Sequence, residues 1–141
     1  MASSGELANG GADLGLRLLL HADGGGSAPS AVYLGLATAA IADTDTLSTI
    51  TECADATYTR EAVTFGAPAD DSGVEKVSNS GAITFGAFTT GGIAITHAFI
   101  TDASTGTSGT IIYRIDLGTT KYTNAGETLT VNIGDLKLGL E

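Results

Sequence analysis

From residue 31 onward, apolar and polar residues alternate in short runs, and each run places its apolar members on one side of an extended chain. "AVYLGLAT" sets Val32, Leu34 and Leu36 on one face, "EAVTFGA" sets Val63 and Phe65 there, and "GAITFGA" does the same with Ile83 and Phe85. "GTIIYRIDLG" aligns Ile111, Tyr113, Ile115 and Leu117, "ETLTVNIG" aligns Leu129, Val131 and Ile133, and "DLKLGLE" aligns Leu136, Leu138 and Leu140. Each run predicts a half-buried strand. "IAITHAFITD" at 93 to 102 is apolar on both faces and predicts a central strand covered from two sides. Turn signals at "PADDSG", "TTGG", "STGTSG" and "NAGE" separate the runs, and a longer irregular stretch spans residues 40 to 59. The pattern predicts an all-β fold, an antiparallel β-sandwich or jelly-roll-like barrel. "AVTFGAP" at 62 to 68 and "AITFGAF" at 82 to 88 are near copies. Two copies are too few for a solenoid, so they are expected to be the twin strands of a hairpin closed by "DDSGVEKVSNSG".

The first thirty residues follow a different period. Leu7, Gly11, Leu14 and Leu18 recur at helical spacing, which predicts one face of a short N-terminal helix. Gly10, Gly11 and Gly15 would each weaken it by about 1 kcal/mol relative to Ala, so it needs a surface to dock on. "DGGGSAPS" at 23 to 30 then reads as a hinge. The expected organisation is an arm and hinge over residues 1–30 and a β-sandwich domain over residues 31–141, the sandwich holding every strand. Leu7, Leu14 and Leu18 are the candidate partner-binding residues of the arm.

A length of 141 residues suits a single domain with a real core. Sixteen acidic against six basic residues give a net charge of −10, which repels phosphate backbones and anionic lipid, so neither nucleic acid nor membrane is an expected partner. "LGLRLLLHA" is too short to span a bilayer. Cys53 is the single cysteine and forms no intrachain disulfide; it is expected to be a small buried residue. His97, flanked by apolar residues, is expected to hydrogen-bond from within the core, and His21 to end the N-terminal helix. Asp43 and Asp45 resemble the start of a calcium loop, but neither the required glycine nor the closing glutamate follows. His97 and Asp102 lack a G-x-S-x-G elbow. No enzyme activity, cofactor or metal site is expected.

Five ordered blocks, "AVYLGLATA", "YTREAVTFGAP", "NSGAITFGAF", "AITHAFITDAST" and "NAGETLTVNIGDLKLGLE", carry a resemblance that covers residues 31 to 141. Taken together they resemble a family of small tailed-phage virion proteins described as capsid decoration (cement) or tail fibre-like proteins. Members often carry a tryptophan before the threonine-histidine step, where this chain has "GGIAITH". The resemblance implies a structural virion protein without catalytic residues. It implies, as the leading expectation, a decoration protein made in the host cytoplasm that binds the major capsid protein on the capsid surface and bridges its subunits. It also implies a homo-oligomer, a trimer, whose closed symmetry would satisfy exposed strand edges. The alternative expectation is a tail fibre-like or carbohydrate-binding receptor module of the phage tail.

Overall fold

The structure, a computed structural model, describes residues 3–20 and 28–140. Among the described residues it is all-β apart from one helix. The strands are β1 (Ser3–Leu7), β2 (Val32–Ala37), β3 (Glu61–Val63), β4 (Ala69–Asp71), β5 (Val74–Ser78), β6 (Ile83–Phe85), β7 (Ala94–Thr101), β8 (Ile111–Tyr122), β9 (Leu129–Val131) and β10 (Leu136–Gly139), and the helix is α1 (Asn9–Leu20). Eight strands form one sheet in the order β3-β2-β7-β8-β1-β10-β5-β4, and β6 and β9 form a second, two-stranded sheet. The large sheet curls into a half-barrel. Beyond β3 the chain turns back to the end of β5, where Phe65 bridges Asn79, Gly66 N–H donates to Ser78 and Ser80 N–H donates to Thr64.

The period-two runs bury the faces they predict. Leu34 and Leu36 of β2, Ala98 and Ile100 of β7, Ile115 and Leu117 of β8, and Leu136 and Leu138 of β10 form one face of the large sheet, against which Ile83, Phe85 and Val131 of the small sheet pack. Thr84 and Thr130 point outward from the small sheet with their hydroxyls 3.2 Å apart. The "IAITHAFITD" strand is β7, interior and covered on both sides. Ile100 joins the first core, whereas Phe99 faces the other way and packs with Ala8, Ala37, Ile41, Leu47 and Ile111. The irregular stretch before β3 thus lays Ile41 and Leu47 over the second face of the sheet.

Several expectations are corrected. The twin heptapeptides do not pair with each other: β3 pairs with β2 and β6 with β9. Between them lies the β4–β5 hairpin, closed at Ser72 and Gly73, both with positive φ, as a two-residue hairpin turn requires. Ile111 faces away from Ile115, because a bulge gives β8 an extra residue opposite the Ile100–Thr101 step of β7. Ile133 and Leu140 are exposed, since β9 ends at Val131 in a turn through Gly134 and β10 ends at Gly139.

The largest correction is at the N-terminus. Leu7 is not helical; it ends β1, which pairs antiparallel with β8 (Glu6 opposite Arg114, Leu7 opposite Tyr113) and parallel with β10 (Ser4 opposite Lys137). A strand therefore lies in the first thirty residues, contrary to the expectation that all strands follow residue 31. The helix begins only at Asn9, after the Ala8 N–H donates to the Ile112 carbonyl at 2.9 Å. The glycines that would weaken a free helix serve close packing. A Cβ on Gly11 would collide with the Ile112 carbonyl, and one on Gly5 would sit 2.5 Å from a Leu138 methyl and 3.0 Å from Ile115. Gly15, by contrast, faces open space. The hinge expected at 23 to 30 and the helix-end role of His21 fall largely or wholly on residues 21–27, outside the described residues.

Two substitutions separate these roles. Gly5→Val is expected to lower stability by about 1–3 kcal/mol through overpacking under Leu138 and Ile115. Gly15→Ala is expected to raise it by up to about 1 kcal/mol. Denaturant melts of the two variants check both signs.

Candidate functional site

The loops at one end of the sheet are held by charged side chains. Glu52 sits on a short bridge to Ala37, at the edge of β2, and faces Tyr58 and Arg60 on the approach to β3. Glu52 Oε1 accepts from the Tyr58 hydroxyl at 2.7 Å and from Arg60 Nε at 2.8 Å, and Oε2 accepts from Arg60 Nη2 at 2.9 Å. Arg60 also donates to the carbonyls of Ala103 (3.0 Å) and Gly106 (2.9 Å) in the β7–β8 loop, and its guanidinium lies 5.5 Å from the centre of the Phe99 ring. The Arg60 side chain is only 5% exposed, so this bidentate pair is largely shielded from water. Tyr58 accepts from the Leu36 N–H at 2.8 Å and stacks on Phe85. Burial pushes its hydroxyl far above the ordinary tyrosine range. A cleft of about 240 Å³ opens here among Glu52, Tyr58, Thr59, Arg60, Ser104 and Thr105.

Asp55 fastens the turn before β7, at the opposite end of that strand from the loop held by Arg60. Its carboxylate accepts from the Thr57 N–H and hydroxyl, from the Thr89 N–H and hydroxyl, and from the Thr90 N–H, at 2.6 to 3.0 Å. The Thr57 hydroxyl contributes most to holding its pKa well below the usual carboxylate range. Asn79 acts similarly between the end of β5 and the start of β10. It is 1% exposed, donates to the carbonyls of Gly81 and Asn132, and accepts from the Leu136 N–H. Neither residue stands out in the sequence, because an aspartate or asparagine near glycines and threonines is an ordinary turn signal.

The residues with catalytic potential are dispersed. His97 is half-buried rather than in the core; its Nδ1 is 2.8 Å from the Thr96 hydroxyl and its Nε2 is 3.9 Å from Asp116, too far for the hydrogen bond that would orient a catalytic base. Asp102, five residues along the chain and about 16 Å away at strand rise, accepts from the Thr110 N–H at 2.7 Å. Cys53 is buried in the first core, and desolvation raises its thiol pKa. Asp43 pairs with Arg114 and Asp45 caps its own loop through Ala42 and Thr49. Among the described residues, no three His, Cys, Asp or Glu side chains gather as a metal site, and no helix is long and apolar enough to cross a membrane.

The three arm leucines do not share one helical face. Leu7 is half-buried in β1, whereas Leu14 and Leu18 belong to α1, Leu14 half-buried. Leu16 and Leu20, which the leucine spacing passed over, are 59% and 80% exposed. Leu16 and Leu20 are an i, i+4 pair with each other, on a helical row distinct from the one counted from Leu7. Arg114 ties this segment to the body: Nη2 is 2.7 Å from Glu6, and Nε is 2.8 Å from Asp43 but off the N–H direction, an ion pair without a hydrogen bond. Across β1, the Tyr113 hydroxyl donates to the Gly139 carbonyl at 2.9 Å.

Glu52→Ala, which strands the shielded Arg60, is expected to cost about 3 kcal/mol in chemical denaturation. Lys76→Ala at the half-buried but water-accessible Asp71 pair is expected to cost below about 1 kcal/mol. The depressed pKa of Asp55 gives stability that is present above its unfolded value of 3.8 and is lost as pH falls from there through the folded value. Acid titration of Asp55→Asn should accordingly show a flatter loss of stability below pH 3.8 than the wild type.

No curated protein matches the chain. The family model of the podophage GP4 fiber I protein gp80 matches residues 19–139, which takes in everything from the end of α1 through β10. With the match running through nearly the whole β body and both of its cores, the chain belongs to the podophage GP4 fiber I protein gp80 family, and so to the structural virion proteins of bacteriophages.

Proposed function

We propose that the protein is a fibre component of a podophage tail, acting by adhesion and without catalysis of its own. The observation that carries this reading is the match of the fibre-protein family across residues 19–139. It favours the tail fibre-like alternative over the capsid-decoration expectation. The fold is compatible with such a role. Loops at both ends of β7 are pinned, the β7–β8 loop by Arg60 of the Glu52–Arg60 pair and the 89–90 turn by Asp55, so a surface built from either keeps its shape without ligand. The net charge of −10 opposes DNA and anionic lipid, which leaves proteins or neutral glycans as the chemistry this surface would meet.

The copy number per virion tests the placement. Quantitative mass spectrometry of purified virions should find tens of copies or fewer, and antibodies to the chain should label the tail. Hundreds of copies with label spread over the head would instead support the capsid surface.

A further inference from the structure

The strand β1 occupies an unusual place. It comes first in the chain but lies in the interior of the sheet, and its ladder partners, 113–114 and 136–138, are more than a hundred residues away. It has no pairing with β2, the next strand in sequence. The slot it fills is shaped for it, with Leu138 and Ile115 closing over the bare face of Gly5, Tyr113 reaching across to Gly139, and Arg114 holding Glu6. The slot belongs to the span shared with the fibre family, whereas β1 and most of α1 lie before residue 19 and outside it.

We propose that β1 and α1 of one copy seat in the β8–β10 slot of a second copy, so that the protein assembles by strand exchange; this rests on the fibre reading above. Every contact described for β1 is the same whether the strand comes from its own chain or from an identical neighbour, so exchange forfeits none of them. The reach is sufficient. Residues 21–31 separate Leu20 from Val32 and can span at most about 36–40 Å, against a radius of gyration of about 14 Å for a domain of this length. Within a single copy, α1 ends with Leu16 and Leu20 in water. In the exchanged arrangement α1 lies where one copy crosses to the next, which sets this exposed leucine pair at the junction between copies.

The test uses the full chain in a Cys53→Ser background. One tagged copy carries Glu6→Cys and a second, differently tagged copy carries Arg114→Cys, the two positions being directly opposed between β1 and β8. Co-expression and oxidation should give a disulfide-linked heterodimer as the major product on a non-reducing gel. Ser4→Cys with Lys137→Cys, opposed between β1 and β10, provides an independent pair should the first perturb folding. Thr84→Cys with Arg114→Cys, on separate sheets, should give none. Exchange is overturned if folded protein from both opposed pairs stays unlinked while chains carrying both cysteines close an internal disulfide, or if the Thr84 control links equally well. Tail labelling of virions fails or succeeds independently of this gel, so loss of the exchange is distinguishable from loss of the fibre reading.

Discussion

The architecture depends on filling the gap between β8 and β10. Each of these strands pairs on its far side with other parts of the sheet, and β1 is the strand that satisfies both inner edges. If β1 were withdrawn, two rows of backbone N–H and C=O groups would be left unpaired within the sheet, a cost that water meets only if the sheet opens. The pairing is mixed, antiparallel to β8 and parallel to β10. The partners of β1 are more than a hundred residues away in sequence, so the sheet is complete only once a β1, from whichever copy, has reached the slot. Side chains reinforce the same junction, with Tyr113 crossing over β1 and Arg114 gathering Glu6 and Asp43.

Away from that junction, the short strands are held by buried or shielded polar groups in the connections. Strands of three residues such as β3, β6 and β9 contribute little ladder energy by themselves. Asp55 ties the 55–57 loop to the 89–90 turn, Asn79 ties the end of β5 to the turn before β10, and Arg60 ties the approach to β3 to the β7–β8 loop. These are the charge-assisted and fully satisfied contacts that fix a loop in one conformation. A fibre component that recognises its partner through preformed loops would require that property.

Much of the β body was legible because period-two alternation reports burial directly: Leu34, Leu36, Ile83, Phe85, Leu136 and Leu138 all face the core they were expected to face. The failures have local causes. Alternation reports a face but not a partner, so the twin heptapeptides were matched to each other although each pairs elsewhere. A one-residue bulge turned Ile111 to the opposite side. Leu7 stood at helical spacing from Leu14 by coincidence across a strand-helix break, which hid both β1 and the exposed Leu16 and Leu20. Asp55 and Asn79 were illegible because their importance comes from donors 34 and 57 residues away, and composition carries no such information. The family blocks led to a virion protein and no further, since strands and turns shared by the scaffold do not encode the position of a subunit in the particle.

Hydrogen exchange read residue by residue on the intact protein tests the central claim most directly. If β1 completes the sheet, the backbone amides that pair it with β8 and β10 should be protected to the same degree as those of β7, whichever copy donates the strand. Exchange of the β1 amides at the rate of an unfolded chain end, with β7 still protected, would contradict the account.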